Sequence, residues 1–125
     1  MNKYMEAIHG EDIYKDFPHN DYAFDDQGWN GKVPLFETLI KETNPSLIIE
    51  VGSWKGQSAL TMAKILDDND MDCNIICIDT WLGSLEHRKS NKKHHNITSY
   101  TKHGWPVLYY QFLANVVHSG FEKYI

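Results

Sequence analysis

The sequence predicts an α/β fold, a parallel sheet with flanking helices, and three observations carry that prediction. Two short β-branched and apolar runs, Leu47–Val51 and Asn74–Ile78, stop abruptly at Gly52 and Asp79. Unbroken apolar runs of this kind are what strands buried on both faces look like. Between them Ala59, Leu60, Ala63, Ile65 and Leu66 form an apolar stripe at helical spacing. Parallel neighbours need a crossover of this length, so strand, glycine turn, helix and strand read as one βαβ unit.

The other elements follow in order. Residues 1–33 are polar, with turn signals at Phe17-Pro18, Gly28 and Asn30-Gly31 and no sustained periodicity, and read as a cap or lid with one short helix. Residues 34–125 read as the sheet-bearing domain. Pro34 opens a helix in which Leu35, Leu39 and Ile40 share a face, ending near Thr43 before Asn44-Pro45-Ser46. The helix after Gly56 dissolves into Asp67-Asp68-Asn69-Asp70. Residues 80–104 read as an irregular loop. Leu108, Phe112, Leu113, Val116 and Val117 then build a second crossover helix that stops at Gly120. Tyr124-Ile125 begins a third strand. Open α/β sheets usually have about five strands or more. The sequence therefore reads as the N-terminal half of such a sheet, completed by a longer parent chain or by another copy on its free edge.

Composition narrows the function. A chain of 125 residues builds one core of modest extent, and 42% apolar with 13% aromatic content argues for a packed interior. Seventeen acidic against twelve basic side chains, a net charge of −5, give no general attraction to polyanions, so nucleic acid is not an expected partner. The local exception, His87, Arg88, Lys89, Lys92, Lys93, His94 and His95, reads as a solvated loop, with contact to an anionic substrate as the rival reading. Cys73 and Cys77 lie too far apart along one strand to bridge. No eighteen-residue apolar run and no amino-terminal h-region occur, so no membrane association is expected and the expected setting is cytoplasmic.

The chemistry concentrates in Glu50-Val51-Gly52-Ser53-Trp54-Lys55-Gly56-Gln57-Ser58, where a strand turns into a helix. Gly52 permits the sharp turn, Gly56 lets the helix start close to the sheet, and the amides of Gly56, Gln57 and Ser58 suit an anionic group. Trp54 stands where a dinucleotide fingerprint needs its second glycine, which disfavours dinucleotides. Lys55 precedes Gly56 and Gln57 follows it, which does not match a P-loop. Asp79, at the end of the neighbouring strand, is placed to chelate ribose hydroxyls over the same crevice.

These residues resemble class I S-adenosylmethionine-dependent methyltransferases, whose motifs are an acid with a glycine-rich turn after strand one and an acid ending strand two. Ile49–Ala59 and Ile78-Asp79-Thr80-Trp81-Leu82-Gly83 are most similar to macrocin-type sugar O-methyltransferases and cephalosporin-hydroxylase-like proteins. The resemblance spans roughly residues 28–125 and implies the N-terminal half of a Rossmann-like methyltransferase domain. It implies S-adenosylmethionine as cofactor and methyl transfer to a hydroxyl of a small molecule or glycan. Glu50 and the turn Gly52, Ser53, Trp54, Gly56 would hold the methionine moiety, Asp79 the ribose, and Trp81 or a neighbour the adenine edge, with Gln57, Ser58 and Thr80 also among the cofactor-binding residues. The turn has two glycines where many family members have three.

Blander readings stand beside these. Gly52 and Gly56 also suit an ordinary turn, Glu50 a buried acid capping the helix, Asp79 a strand-end turn residue, and Trp81 packing over the loops. Trp29 and Trp105 read as core or lid anchors, and Tyr109, Tyr110 and Phe112 as core. His87, His94, His95 and His103 are candidate bases by type only, and adjacent His94 and His95 diverge too far to share a metal. The main rival functions are a non-catalytic binding or assembly module that pairs through its sheet edge, and another doubly wound nucleotide enzyme.

Overall fold

The computed structural model describes residues 2–89, 91–92 and 95–125. Strands β1 (Leu47–Val51) and β2 (Asn74–Ile78) pair in parallel, with Leu47 opposite Asn74 and Val51 opposite Ile78. Helix α3 (Gln57–Asp68) makes the crossover and buries Ala59, Leu60, Met62, Ala63 and Leu66. Helix α5 (Leu108–Ser119) buries Phe112, Leu113 and Val116 in the same core, and left-handed Gly120 (φ +70°) ends it. This is a small α/β arrangement in which two strands of the expected sheet are present.

The strands were expected to be buried on both faces, and the structure corrects this. Paired residues share a face: Ile48, Ile75 and Cys77 turn into the core with α3 and α5. The opposite face carries Ile49, Val51 and Ile78, exposed by 58%, 79% and 49%. Both crossover helices contribute to one core on one side of the pair, so the other side stays bare.

The expected third strand is begun but not formed. Tyr124 and Ile125 are buried, and the Ile75 amide donates to the Tyr124 carbonyl at 2.7 Å, beside β2, without a ladder developing. Helix α2 (Leu35–Thr43) keeps its expected limits, but its inward stripe differs. Ile40 is buried and Phe36 packs against the core, whereas Leu35 and Leu39 are exposed. The Phe36–Ile40 pair, one turn apart, brings a larger apolar surface to α3 than Leu35–Leu39 would.

The stretch expected to be irregular is partly ordered. It holds helix α4 (Leu85–Lys89), a 3-10 turn (Ile97–Tyr100) and a two-residue antiparallel ladder of β3 (Thr101–Lys102) with β4 (Trp105–Pro106). Asn96 caps the 3-10 turn by accepting from the Thr98 amide at 2.9 Å. His103 (φ +54°) and Gly104 (φ +80°) supply the two positive φ values a tight hairpin turn requires.

Ahead of α2, helix α1 (Met5–His9) and a 3-10 turn (His19–Asp21) lead into an extended strap, residues 22–31. Two aromatic expectations are corrected: Trp105 is 70% exposed, and Tyr110, on the outer side of α5, is 44% exposed, whereas Trp29, though 52% exposed, packs on the Trp54, His87 and His95 rings from the strap, as a lid anchor would. Trp105 sits in the short hairpin, where no second layer covers it.

Candidate functional site

The turn between β1 and α3 has the left-handed backbone that its glycines suggested. Gly52 (φ +89°) and Gly56 (φ +91°) take values that L side chains seldom adopt, and Trp54 (φ +52°) joins them. The Gly52 amide donates to the Ile78 carbonyl at 2.8 Å, fastening the turn to β2. Gly52 is exposed, with no atom within 4 Å of where a methyl group would project. Gly56 is the tight position, since a methyl group there would stand 2.9 Å from the Phe112 ring.

Asp79 joins the turn to the end of β2. Its Oδ2 accepts from the Trp54 amide and its Oδ1 from the Trp81 amide, each at 2.9 Å. Each carboxylate oxygen keeps a second lone pair for a ligand. Trp81 also has a left-handed backbone (φ +58°), and its ring packs on Phe112 and Tyr109 at 4.6 and 5.4 Å between centroids. The Asp79 carboxylate therefore ties the turn after β1 to the loop after β2 at the carboxyl ends of both strands.

A cavity of about 500 Å³ runs along β2 from Ile75 to Asp79, closed by Trp81, Tyr109 and Phe112 on one side and by residues from α1 through Tyr14 on another, and no residue of the Gly52–Gly56 turn lines it. Its wall is largely apolar, with Asp79 the one carboxylate. Burial pushes the Tyr14 phenol well above its ordinary pKa.

The other expected cofactor residues divide. Glu50 accepts from the Ser58 hydroxyl and lies 3.8 Å from the Cys77 sulfur, so it ties β1 to the first turn of α3 and to β2. Burial first, then the Glu50 charge, pushes the Cys77 thiol up to about 12. The buried Ser53 hydroxyl, beside Cys77, makes no hydrogen bond of good geometry among the described residues. Thr80 is exposed and accepts from the Leu82 amide at 3.3 Å. Gln57 faces the strap: its Oε1 accepts from the Gly31 amide at 3.1 Å and its Nε2 donates to the Asp26 carbonyl at 3.0 Å. Gly31 packs so closely on the Ser58 amide that the first turn of α3 lies under the strap.

A second set of residues, which sequence reasoning missed, stitches that strap down. Lys55 is fully buried within the turn, its ammonium 2.7 Å from Asp25 Oδ2 and hydrogen-bonded to the Tyr100 hydroxyl, which itself donates to Asp25 Oδ2 at 2.7 Å. Asn115, also fully buried, donates to the Asp25 and Lys55 carbonyls at 2.7 and 2.8 Å and accepts from the Asp25 amide at 3.0 Å. Gln111 donates to the Ala23 carbonyl at 2.8 Å. The signal was a polar pair, Gln111 and Asn115, one turn apart on an otherwise apolar helix, since buried amides need partners.

Burial raises the Asp25 carboxyl, but hydrogen bonds from Lys55, Tyr100 and the Gln27 amide outweigh it and bring the pKa from 3.8 to about 2. A carboxyl whose folded value is depressed stabilises above its unfolded pKa and loses that contribution as pH falls through the folded one. Acid titration of stability should fall between about pH 5 and pH 2 more steeply for the native chain than for Asp25→Asn; matching slopes would refute this assignment.

The candidate bases are scattered. The His87 ring stacks on Trp54 at 4.1 Å, and its Nδ1 accepts from the Ser84 amide at 2.8 Å. His95 packs on Trp29 at 4.8 Å, and His103 sits in the hairpin turn. None of these three lines the cavity beside Asp79. His94 and Lys93 lie outside the described residues. Arg88, Lys89 and Lys92 are exposed, and no grouping of three or more His, Cys, Asp or Glu suited to a metal occurs among the described residues. No helix among them is long and apolar enough to cross a membrane.

A strand, a left-handed glycine turn, a helix and a carboxylate ending the next, parallel strand are the arrangement of part of a Rossmann-like α/β fold. The chain belongs to the rhamnosyl O-methyltransferase/CmcI family, whose model matches residues 31–103, more than half of its length. The match takes in the whole of β1, the turn, α3, β2 and Asp79. Neither a curated protein nor a solved structure matches the chain.

Proposed function

We propose that this chain binds S-adenosylmethionine at the crevice between the Gly52–Gly56 turn and Asp79, as part of a methyltransferase for a hydroxyl group on a small molecule or glycan. The observation that carries the reading is the shared bond: one carboxylate receives amides from the turn after β1 and the loop after β2. The residues present suit the cofactor. Open space at Gly52 and the buried Ser53 hydroxyl offer room and a polar contact for the amino-acid end. Asp79 retains acceptor capacity for ribose hydroxyls, and the cavity walled by Ile78, Trp81 and Phe112 suits a flat heteroaromatic ring.

When bound, the cofactor supplies a sulfonium methyl group to an acceptor oxygen. The chain's own contribution is alignment and exclusion of water: the turn and Asp79 orient the ligand, while the apolar wall and the segment through Tyr14 dry one side of it. The two free thiols, Cys73 and Cys77, fit the reducing cytoplasm.

Titration calorimetry with S-adenosylhomocysteine tests the reading. The native chain should bind it, and Asp79→Ala should weaken binding by about a hundredfold, the scale of two charge-assisted hydrogen bonds. Equal affinity in both chains would end the assignment. A second reading, an assembly module, is favoured by the bare face at Ile49, Val51 and Ile78, because apolar surface of this kind marks contact sites.

A further inference from the structure

We propose that Lys55 is a positioning residue for the cofactor turn, held through a latch formed with Asp25 of the strap and Tyr100 of the segment after β2. The proposal rests on reading the Gly52–Gly56 turn as the cofactor's seat. Lys55 lies in the middle of that turn and, like the rest of the turn, does not line the cavity along β2. Both ends of the residue are fixed. Its ammonium is held by Asp25 and Tyr100, with the Tyr100 ring 4.4 Å away and the Trp54 ring 5.7 Å away. Its carbonyl accepts from Asn115. The preceding residue, Trp54, has the left-handed backbone that aims its amide at Asp79.

The choice of residue is what points beyond packing. A methionine would fill a similar volume without bringing a charge out of water, and replacing a buried ion pair by apolar groups is often neutral or stabilising. What the pair adds is direction, because the bonds to Asp25 and Tyr100 are satisfied only when strap, turn and loop meet in one arrangement. In that arrangement Gln57 holds Gly31 and Asp26, and the Trp54 indole donates to Gln27 at 3.3 Å. The latch thus makes the ligand-ready form of the turn conditional on a closed strap.

The test compares the native chain with the double variant Lys55→Met/Asp25→Asn, in which no charge is left unpaired. Three quantities are read: thermal midpoint, S-adenosylhomocysteine affinity well below that midpoint, and amide hydrogen exchange. The expected result is a midpoint close to the native one, affinity lower by about tenfold, and faster exchange at Ser53–Gly56 with α3 and β2 unchanged. Native affinity in the folded double variant would overturn the proposal, because a purely structural role lowers the midpoint alone. Should the native chain fail to bind S-adenosylhomocysteine, the cofactor reading falls and exchange decides the latch: faster exchange confined to the turn upholds it, and unchanged exchange refutes it. Should the double variant not fold, Tyr100→Phe, which removes one hydroxyl, gives the same comparison with an expected loss of about threefold.

Discussion

Replacing Asn115 with leucine should destabilise the chain by about 3–5 kcal/mol, enough to unfold much of the population of a marginally stable domain. The side chain is fully buried and makes four hydrogen bonds, to the Asp25 amide, the Asp25 and Lys55 carbonyls, and Gln111. Leucine keeps the branching at Cγ, with more bulk, but takes the amide partner from three backbone groups, each worth about 1–3 kcal/mol when left unsatisfied. The loss is read as the shift in urea midpoint. A shift matching that of an exposed polar-to-apolar change, such as Asn69→Leu, would show that solvent reaches the strap and that Asn115 does not clamp it.

Gly56→Ala should cost about 2–5 kcal/mol, from two sources that add. An L residue in the left-handed region costs about 1–2 kcal/mol, and an intruding methyl group in a packed core costs about 1–3 kcal/mol more. Gly52→Ala separates the two. Its φ is nearly the same, at +89° against +91°, but its surroundings are open, so it should show the backbone cost alone. Denaturant midpoints of the two variants check this. Equal losses would mean that Phe112 moves aside freely.

How much of this was legible in the sequence depends on whether local or distant groups decide each feature. Leu47–Val51, Asn74–Ile78 and α3 follow from apolar patterning and a glycine stop, and the structure gives them nearly those limits. The left-handed turn follows from Gly52 and Gly56. The one-sided sheet was not legible, because a short, largely apolar run looks the same whether one or both faces are covered. Leu35 and Leu39 misled for a similar reason: periodicity marks a stripe, but which of two adjacent stripes turns inward depends on the partner helix.

The strap contacts lie 26 to 96 positions apart, beyond the reach of any local pattern. Lys55 and Asp25 each look like ordinary surface charges until the fold brings them together. In the candidate site, the proximity of Asp79 to the turn was readable from the strand ends. The diversion of Gln57 to the strap was not, because it depends on where Gly31 comes to rest.

The bond pattern at Asp79 has one more implication. Its carboxylate holds two tryptophan backbones, Trp54 and Trp81, in the left-handed region. That conformation costs each of them about 1–2 kcal/mol, which offsets part of what the two charge-assisted bonds supply. Cutting the tether lets both loops relax, so much of what these bonds supply goes into holding the turn and the loop in one arrangement and little of it into net stability. Loss of this acid would therefore change the shape and mobility of the two loops far more than the overall stability of the chain.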